Sequence, residues 1–321
     1  MITFKRASYL LVCCYLLFSS FHAGAWSLAW HGTIASSALD GGASEGQQKT
    51  LIAYANVLSS EFSAERKDWQ RRTRYEIKKP SSSAALAEKA AYEAAWLAAW
   101  PDLVRSQKLS VLFKAVGATT PADLAAYKNY TTSTWHYHNV FYDSNNKLLL
   151  SCNKKNRGKL YSALSALESS LQSDLSISQQ AIAFAFYVHL VGDAHQPLHN
   201  VSRANKHCEH DRGGNTYCLK KKGAKCSLNA HQFWDLAAFN PVESIDIQPV
   251  KHKAACGTSP AWGSYLLAEA KELVVNLYPK NDDFNNAKYR SNAKSIAKSR
   301  IEMAASRTAQ IMKCYLRDAN K

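Results

Sequence analysis

The apolar positions of this chain fall mostly at helical spacing. From about Thr50 to Leu103 they recur every three or four residues in an alanine-rich background, which predicts helices interrupted by the polar loop Pro80-Ser81-Ser82-Ser83. A further helix is predicted from about Leu160 to Leu171, and the apolar run AIAFAFYVHLVGD that follows implies another. Amphipathic helices return from about Ala261 to Leu277 and from about Asn285 to Leu316. Residues 134–143, TWHYHNVFYD, read as extended, and few other stretches read as strand. The predicted class is therefore all-α, a mainly helical single domain with long loops, the longest being the polar stretch at 201–228.

The first 25 residues stand apart from this pattern. Lys5 and Arg6 precede an apolar run from Tyr9 to Phe18, and Ala23-Gly24-Ala25 supplies small residues of the kind found before a secretory cleavage site. Residues 1–25 are expected to be a signal peptide, residues 26–321 the single mature domain, and Trp26 the new N-terminus. No later stretch is long and apolar enough to span a membrane. A soluble monomer is expected, secreted or periplasmic, with no stable membrane insertion.

Composition narrows the partner. The formal net charge is +15, of which the leader's Lys5 and Arg6 supply two, so the mature chain stays strongly basic. A polyanion is favoured, either nucleic acid or an anionic membrane surface. Cys13 and Cys14 leave with the leader; Cys152, Cys208, Cys218, Cys226, Cys256 and Cys314 remain. An even number after export suggests up to three disulfides, with the pairing open. The CxxC spacing of a zinc ribbon is absent, so these cysteines are assigned to stapling loops.

The chemistry concentrates in FYVHLVGDAHQPLHN, residues 186–200, where His189, Asp193, His195 and His199 interrupt an apolar run. Burying such groups without partners is costly, and a metal would compensate them. His189 and Asp193 are four residues apart and share one helix face, roughly 6 Å from each other. Pro197 ends the helix, and the turn can return His199 to the same place, giving nitrogen and oxygen ligands that suit zinc. A single pair at this spacing is more often an ordinary surface or core pair. SLNAHQFWDLAAF repeats it, with His231 and Asp235, and two are harder to dismiss.

Other residues are ambiguous when viewed alone. Asp102 follows Pro101 and reads as a helix start, where its carboxylate would cap the helix or pair with Arg105. His31 reads as a surface histidine near the aromatic anchor Trp26. Trp135, Tyr137, Phe141 and Tyr142 flank His136 and His138; such a cluster is usually core but also suits base stacking. His138 and His195 read as supporting or surface residues. The basic loop at 153–159 reads as a solvated turn. Asn129-Tyr130-Thr131 and Asn200-Val201-Ser202 fit the N-glycosylation acceptor pattern.

Taken together, WSLAWH, WPD, TWHY, HLVGDAHQPLH, GGN and NAHQFWD, in this order, resemble the zinc-dependent single-strand-specific nucleases of the S1/P1 type, within the phospholipase C/nuclease superfamily. The resemblance spans essentially all of residues 26–316. It implies a helical fold with three zinc ions in a cleft. Asp102, His136, His189 and Asp193 then match the ligands of the first zinc, and His199, His231 and Asp235 those of the second. The α-amine and carbonyl oxygen of Trp26, with His31 and Asp193, match the third, a site complete only after signal removal. The implied reaction is attack of a zinc-activated hydroxide on the phosphodiesters of single-stranded RNA and DNA. Its products are 5′-phosphorylated, and 3′-nucleotidase activity goes with it. Asp102 and Asp193 are the implied catalytic carboxylates, Arg105 the phosphate-binding arginine and Tyr137 the stacking platform. Asn139 stands where fungal relatives carry aspartate, which alters the hydrogen-bonding edge offered to a base.

Two other readings compete. A zinc-dependent phospholipase C shares the fold and a similar metal set, but WHY, GGN, NAHQFWD, Asp235 and the basic balance favour the nuclease. A basic secreted protein stabilised by zinc would need closed metal sites with no open position.

Overall fold

The computed structural model describes residues 26–236, 245, 256–257 and 259–318; the leader expected at residues 1–25 lies outside them. The structure is mainly helical. It is organised around α7, Ile177–His195. A capping box starts this helix: the Ser176 hydroxyl accepts from the Gln179 amide, and the Gln179 side chain accepts from the Ser176 amide. Every residue from Gln180 to His195 is buried, the signature of a helix enclosed on all sides. Pro197 disfavours the helical conformation of the residue before it, and the helix stops at Gln196.

The neighbours of α7 come from both ends of the chain. α1 (Leu28–Ala38), α2 (Glu45–Glu61), α3 (Ser63–Thr73) and α4 (Leu86–Val104) precede it; α2 and α4 pack on α7, and α1 lies against α4. The interruption expected at Pro80 is present within a wider loop between Thr73 and Leu86, and a further break at Phe62 separates α2 from α3. Gly32 allows the close approach of α1, since a Cβ there would lie 2.5 Å from Ile77 Cδ1 and 3.1 Å from Ala95 Cβ. α5 (Leu109–Ala115), α6 (Leu160–Gln172), α8 (Ala230–Leu236), α9 (Ser259–Glu272) and α10 (Ala287–Tyr315) complete the helices. The predicted ranges near Leu160–Leu171, Ala261–Leu277 and Asn285–Leu316 correspond to α6, α9 and α10.

One sequence-based boundary is corrected. Pro101 does not open a helix but lies inside α4, three residues before its end at Val104. The fully buried Trp100 ring packs edge-on against Phe62 and Phe186, and this packing holds the backbone helical through the proline. Asp102 is thus at the C-terminal end of α4 and cannot be its N-cap.

Strands are few and local. The aromatic stretch is extended only over β1, Val140–Tyr142, which pairs in parallel with β2, Val201–Arg203, immediately after the turn that carries His199. β3 (Cys218–Lys222) and β4 (Lys225–Asn229) form an antiparallel hairpin that leads directly into α8. Three disulfides staple these segments: Cys152–Cys208 beside β1 and β2, Cys218–Cys226 within the hairpin, and Cys256–Cys314 onto α10. No helix among the described residues is long and apolar enough to cross a membrane.

Two features revise the expectations for surface groups. Asn200 is fully buried; it accepts from the Tyr161 hydroxyl at 2.5 Å and donates to the carbonyls of Ala194 and Gln196 at 3.0 and 3.1 Å. The folded chain has no room for a glycan there, whereas Asn129 is exposed. His195 is also fully buried, which excludes a surface role. Its Nδ1 bonds to the Val191 carbonyl, and Arg307 Nη1 donates to its Nε2 at 2.6 Å.

Arg307 and Arg300, both buried on α10, share the Glu269 carboxylate of α9 at 2.7 and 2.6 Å. Burial pushes the Glu269 carboxyl up, but the two guanidinium groups outweigh it and hold it below its ordinary value. A depressed carboxylate stabilises the fold above its unfolded pKa, about 4.5, and that contribution is lost as pH falls through the lower folded value. Glu269→Gln should therefore cost about 3 kcal/mol at pH 7. The gap to the wild type should close as pH drops below about 4.5, as read by thermal or urea unfolding across pH.

Candidate metal centre and cleft

The end of α7, the turn after it and the start of α8 meet the ends of α1 and α4 in one buried cluster. Three groups of side chains have their ligand atoms within 4.8 Å of one another: His31 with His189 and Asp193, Asp102 with His136 and His189, and His199 with His231 and Asp235. Eight of the nine residues singled out from the sequence as metal ligands are in these groups. The ninth, Trp26, is fully buried, and its indole N–H donates to the Gly192 carbonyl at 3.0 Å, next to Asp193.

Asp193 joins the groups. Its Oδ1 lies 3.2 Å from His31 Nε2, while Oδ2 lies 3.0 Å from His136 Nδ1 and 3.3 Å from His189 Nε2. The His31 and His189 rings stack at 3.9 Å. Gly192 makes room for this, since a Cβ there would sit 2.9 Å from His31 Nδ1. Asp102 Oδ1 is 3.6 Å from His136 Nδ1, 3.9 Å from His189 Nε2 and 3.7 Å from Arg105 Nη1. Asp102 and Arg105 are therefore paired, as one of the two local readings expected.

Backbone carbonyls fix which nitrogen of each imidazole faces the cluster. His189 Nδ1 bonds to the Ala98 carbonyl at 2.7 Å, His231 Nδ1 to the Gly213 carbonyl at 2.6 Å and His199 Nδ1 to the His136 carbonyl. With each Nδ1–H donated to a carbonyl, Nε2 carries a lone pair inward, the arrangement found at histidine metal ligands. His199 and His231 then face each other through Nε2 atoms 3.1 Å apart. Two lone pairs at that distance repel unless a cation lies between them. A proton is a poor candidate, because burial pushes His199 down to about 3 and His231 down to about 4.

The carboxylates make the same demand. Asp102, Asp193 and Asp235 each lie in the last turn of a helix, in α4, α7 and α8 respectively. That is the negative end of the helix dipole, where an anion is disfavoured and a cation favoured. Both oxygens of Asp193, Asp102 Oδ1, both nitrogens of His31 and His136 Nε2 are buried with no hydrogen bond among the described residues. Unpaired nitrogen and oxygen donors of this kind fit divalent metal ions.

Some residues of the quoted motifs have supporting roles that the sequence alone does not assign. Gln196 donates to Asp235 Oδ1 at 2.8 Å and accepts from the Leu198 amide at 2.6 Å, tying the His199 turn to α8. Burial pushes the Asp235 carboxyl well up, and this amide bond opposes it. Gly213 and Gly214 take left-handed φ of 64° and 80°, and a Cβ on Gly213 would strike the Leu198 carbonyl at 2.4 Å. That explains the GG of the GGN motif: it brings the Gly213 carbonyl to His231.

A cleft of about 510 Å³ opens over the cluster, lined by Arg105, His136, Tyr137, His199 and His231 among others. Tyr137 and Asn139 are both on its wall. Asn139 is buried, and its Oδ1 accepts from the Ser202 hydroxyl at 3.0 Å. His138 belongs to none of the three groups; it is half-buried, with Asn156 at 3.3 Å from its ring.

Gln196→Ala should leave Asp235 without its amide partner. The expected result is a 10- to 100-fold loss of metal affinity, roughly the cost of losing an outer hydrogen-bond partner. Metal titration followed by calorimetry, with circular dichroism to verify the fold, checks it.

Comparison with known proteins agrees with this geometry. A search of curated proteins returns no significant match. The family model described as S1/P1 Nuclease matches residues 70–317 and so covers Asp102, His136 and every ligand candidate from α7 and α8. The chain belongs to the S1/P1 nuclease family and is a phosphodiester hydrolase of that kind.

Proposed function

We propose that the mature chain, residues 26–321, is a single-domain, monomeric, exported nuclease that holds three zinc ions and cleaves single-stranded RNA and DNA to 5′-phosphorylated products. It also removes phosphate from 3′-nucleotides. Asp102, His136, His189 and Asp193 hold the first ion, and His199, His231 and Asp235 the second. His31, Asp193 and the α-amine and carbonyl of Trp26 hold the third. The observation that carries this reading is the pair of Nε2 atoms of His199 and His231 facing each other at 3.1 Å beside three clustered aspartates at helix C-termini.

Zinc bound there would activate water for attack on phosphorus at neutral pH and offset the charge of the phosphoryl group. The chain's own residues supply the rest. Asp193, with one oxygen toward His31 and the other toward His136 and His189, ties two ion sites together. Arg105 lies at the cleft wall beside Asp102 and holds a non-bridging oxygen of the scissile phosphate through its planar fork of donors. Tyr137 offers a ring on which any base can stack, which suits an enzyme with little sequence preference. At Asn139 the Ser202 bond occupies the carbonyl oxygen, so the group left for a base is the amide donor. An aspartate could only accept. The exported location is supported by the three disulfides.

The test uses protein processed to begin at Trp26 and loaded with zinc. Heat-denatured DNA, RNA, a 3′-mononucleotide and phosphatidylcholine are offered in parallel. Cleavage of both nucleic acids with 5′-phosphate ends is expected, with phosphate release from the mononucleotide and about three zinc ions per chain. His189→Ala should fall below roughly one hundredth of this activity, because losing even an outer hydrogen-bond partner of a metal costs 10- to 100-fold. Turnover of phosphatidylcholine alone would overturn the reading.

A further inference from the structure

The loop at residues 211–215 holds a side chain that the reading above leaves unused. Arg212 has φ of 59°, left-handed backbone that a bulky residue rarely adopts, and Gly213 and Gly214 continue in the same region. The glycines accept this conformation freely, but Arg212 does not. The loop is held there from both sides. Asp211 accepts from the Arg203 amide at 3.1 Å and from the Tyr278 hydroxyl at 2.5 Å. Gly213 donates to the Ser202 hydroxyl at 2.6 Å, and the Asn215 side chain donates to the Arg212 carbonyl at 2.9 Å.

This fixed backbone places Arg212 on the wall of the cleft, together with Tyr137, His210 and Asn215. Its side chain is exposed and makes no ion pair among the described residues. Glycine would fit the backbone better, so the arginine stands there against a local conformational cost. The two cleft arginines differ in their surroundings: Arg105 lies 3.7 Å from Asp102 at the metal end, whereas Arg212 shares the cleft wall with Tyr137.

We infer that Arg212 forms a second phosphate subsite, which binds a backbone phosphate of the polynucleotide flanking the scissile one while the neighbouring base stacks on Tyr137. The inference rests on the nuclease reading and adds to it what distinguishes a chain from a single nucleotide. An exposed guanidinium beside a stacking platform meets both needs of a single strand, charge for the backbone and a ring face for the base.

The test measures kcat/KM on a single-stranded oligonucleotide as a function of salt, for the zinc-loaded wild type and for Arg212→Gln, Arg212→Lys and Arg212→Gly. Loss of one phosphate contact should reduce the slope of log kcat/KM against log salt by about 0.7 in the glutamine variant. At low salt kcat/KM should fall about tenfold, the loss of one charge-assisted bond. Arg212→Lys should restore the slope. Arg212→Gly should lose it while its thermal midpoint is kept or raised, since glycine relieves the left-handed backbone, and this separates binding from folding. An unchanged slope in Arg212→Gln, or failure of the lysine variant to restore it, overturns the inference. Failure of the wild type to cleave any nucleic acid would instead sink the nuclease reading itself.

Discussion

Three clustered aspartates at the negative ends of three helices set the terms for this protein. A carboxylate in the last turn of a helix is disfavoured by the backbone dipole, and burial adds the loss of water. Asp193 and Asp235 are buried, the Asp102 side chain is only 7% exposed, and all three suffer both at once within one cluster. Imidazole lone pairs aimed at the same space, each fixed by a carbonyl behind it, intensify the demand for positive charge. The fold can therefore be seen as scaffolding that holds negative ends and lone pairs together, in an arrangement that divalent cations satisfy.

The scaffolding extends beyond the cluster itself. Arg300 of α10 donates to the His195 carbonyl, and Arg307 donates to the His195 ring, while Glu269 of α9 binds both guanidinium groups. The C-terminal helices thus grip the end of α7 where Asp193 sits and where the turn toward His199 begins. Gln196 continues the chain of contacts into α8. The site is coupled through neutral and charged hydrogen bonds to parts of the chain about one hundred residues away in sequence, as in the Arg300–His195 contact, separated by 105 positions.

Much of this was legible in the sequence because helical period is a local rule. The His189–Asp193 and His231–Asp235 spacings, on α7 and α8, place each pair on one face without any knowledge of the rest. What escaped was decided by distant packing. Pro101 looked like a helix start, but the Trp100 ring wedged between Phe62 and Phe186 carries α4 through it. His195 looked like a surface or supporting residue until α10, more than one hundred positions on, supplied Arg307. Gln196 carried no sign of its role, because its partner Asp235 is brought up by a different helix. Arg212 was hidden for another reason: a left-handed arginine is a property of the backbone, and only the two glycines after it announce a tight turn.

Asn200 carries a consequence of a different sort. Its side chain is a strut between Tyr161, Ala194 and Gln196, yet it also sits in a sequence that oligosaccharide transfer recognises. Transfer acts on an emerging chain, before any strut exists. In a host that modifies such sites, a chain sugared at Asn200 could not form these three side-chain hydrogen bonds behind His199. The choice of production organism thus becomes a structural question: a bacterial cell that adds no sugar lets the strut form, while a eukaryotic secretory pathway sets folding and modification in a race for one side chain.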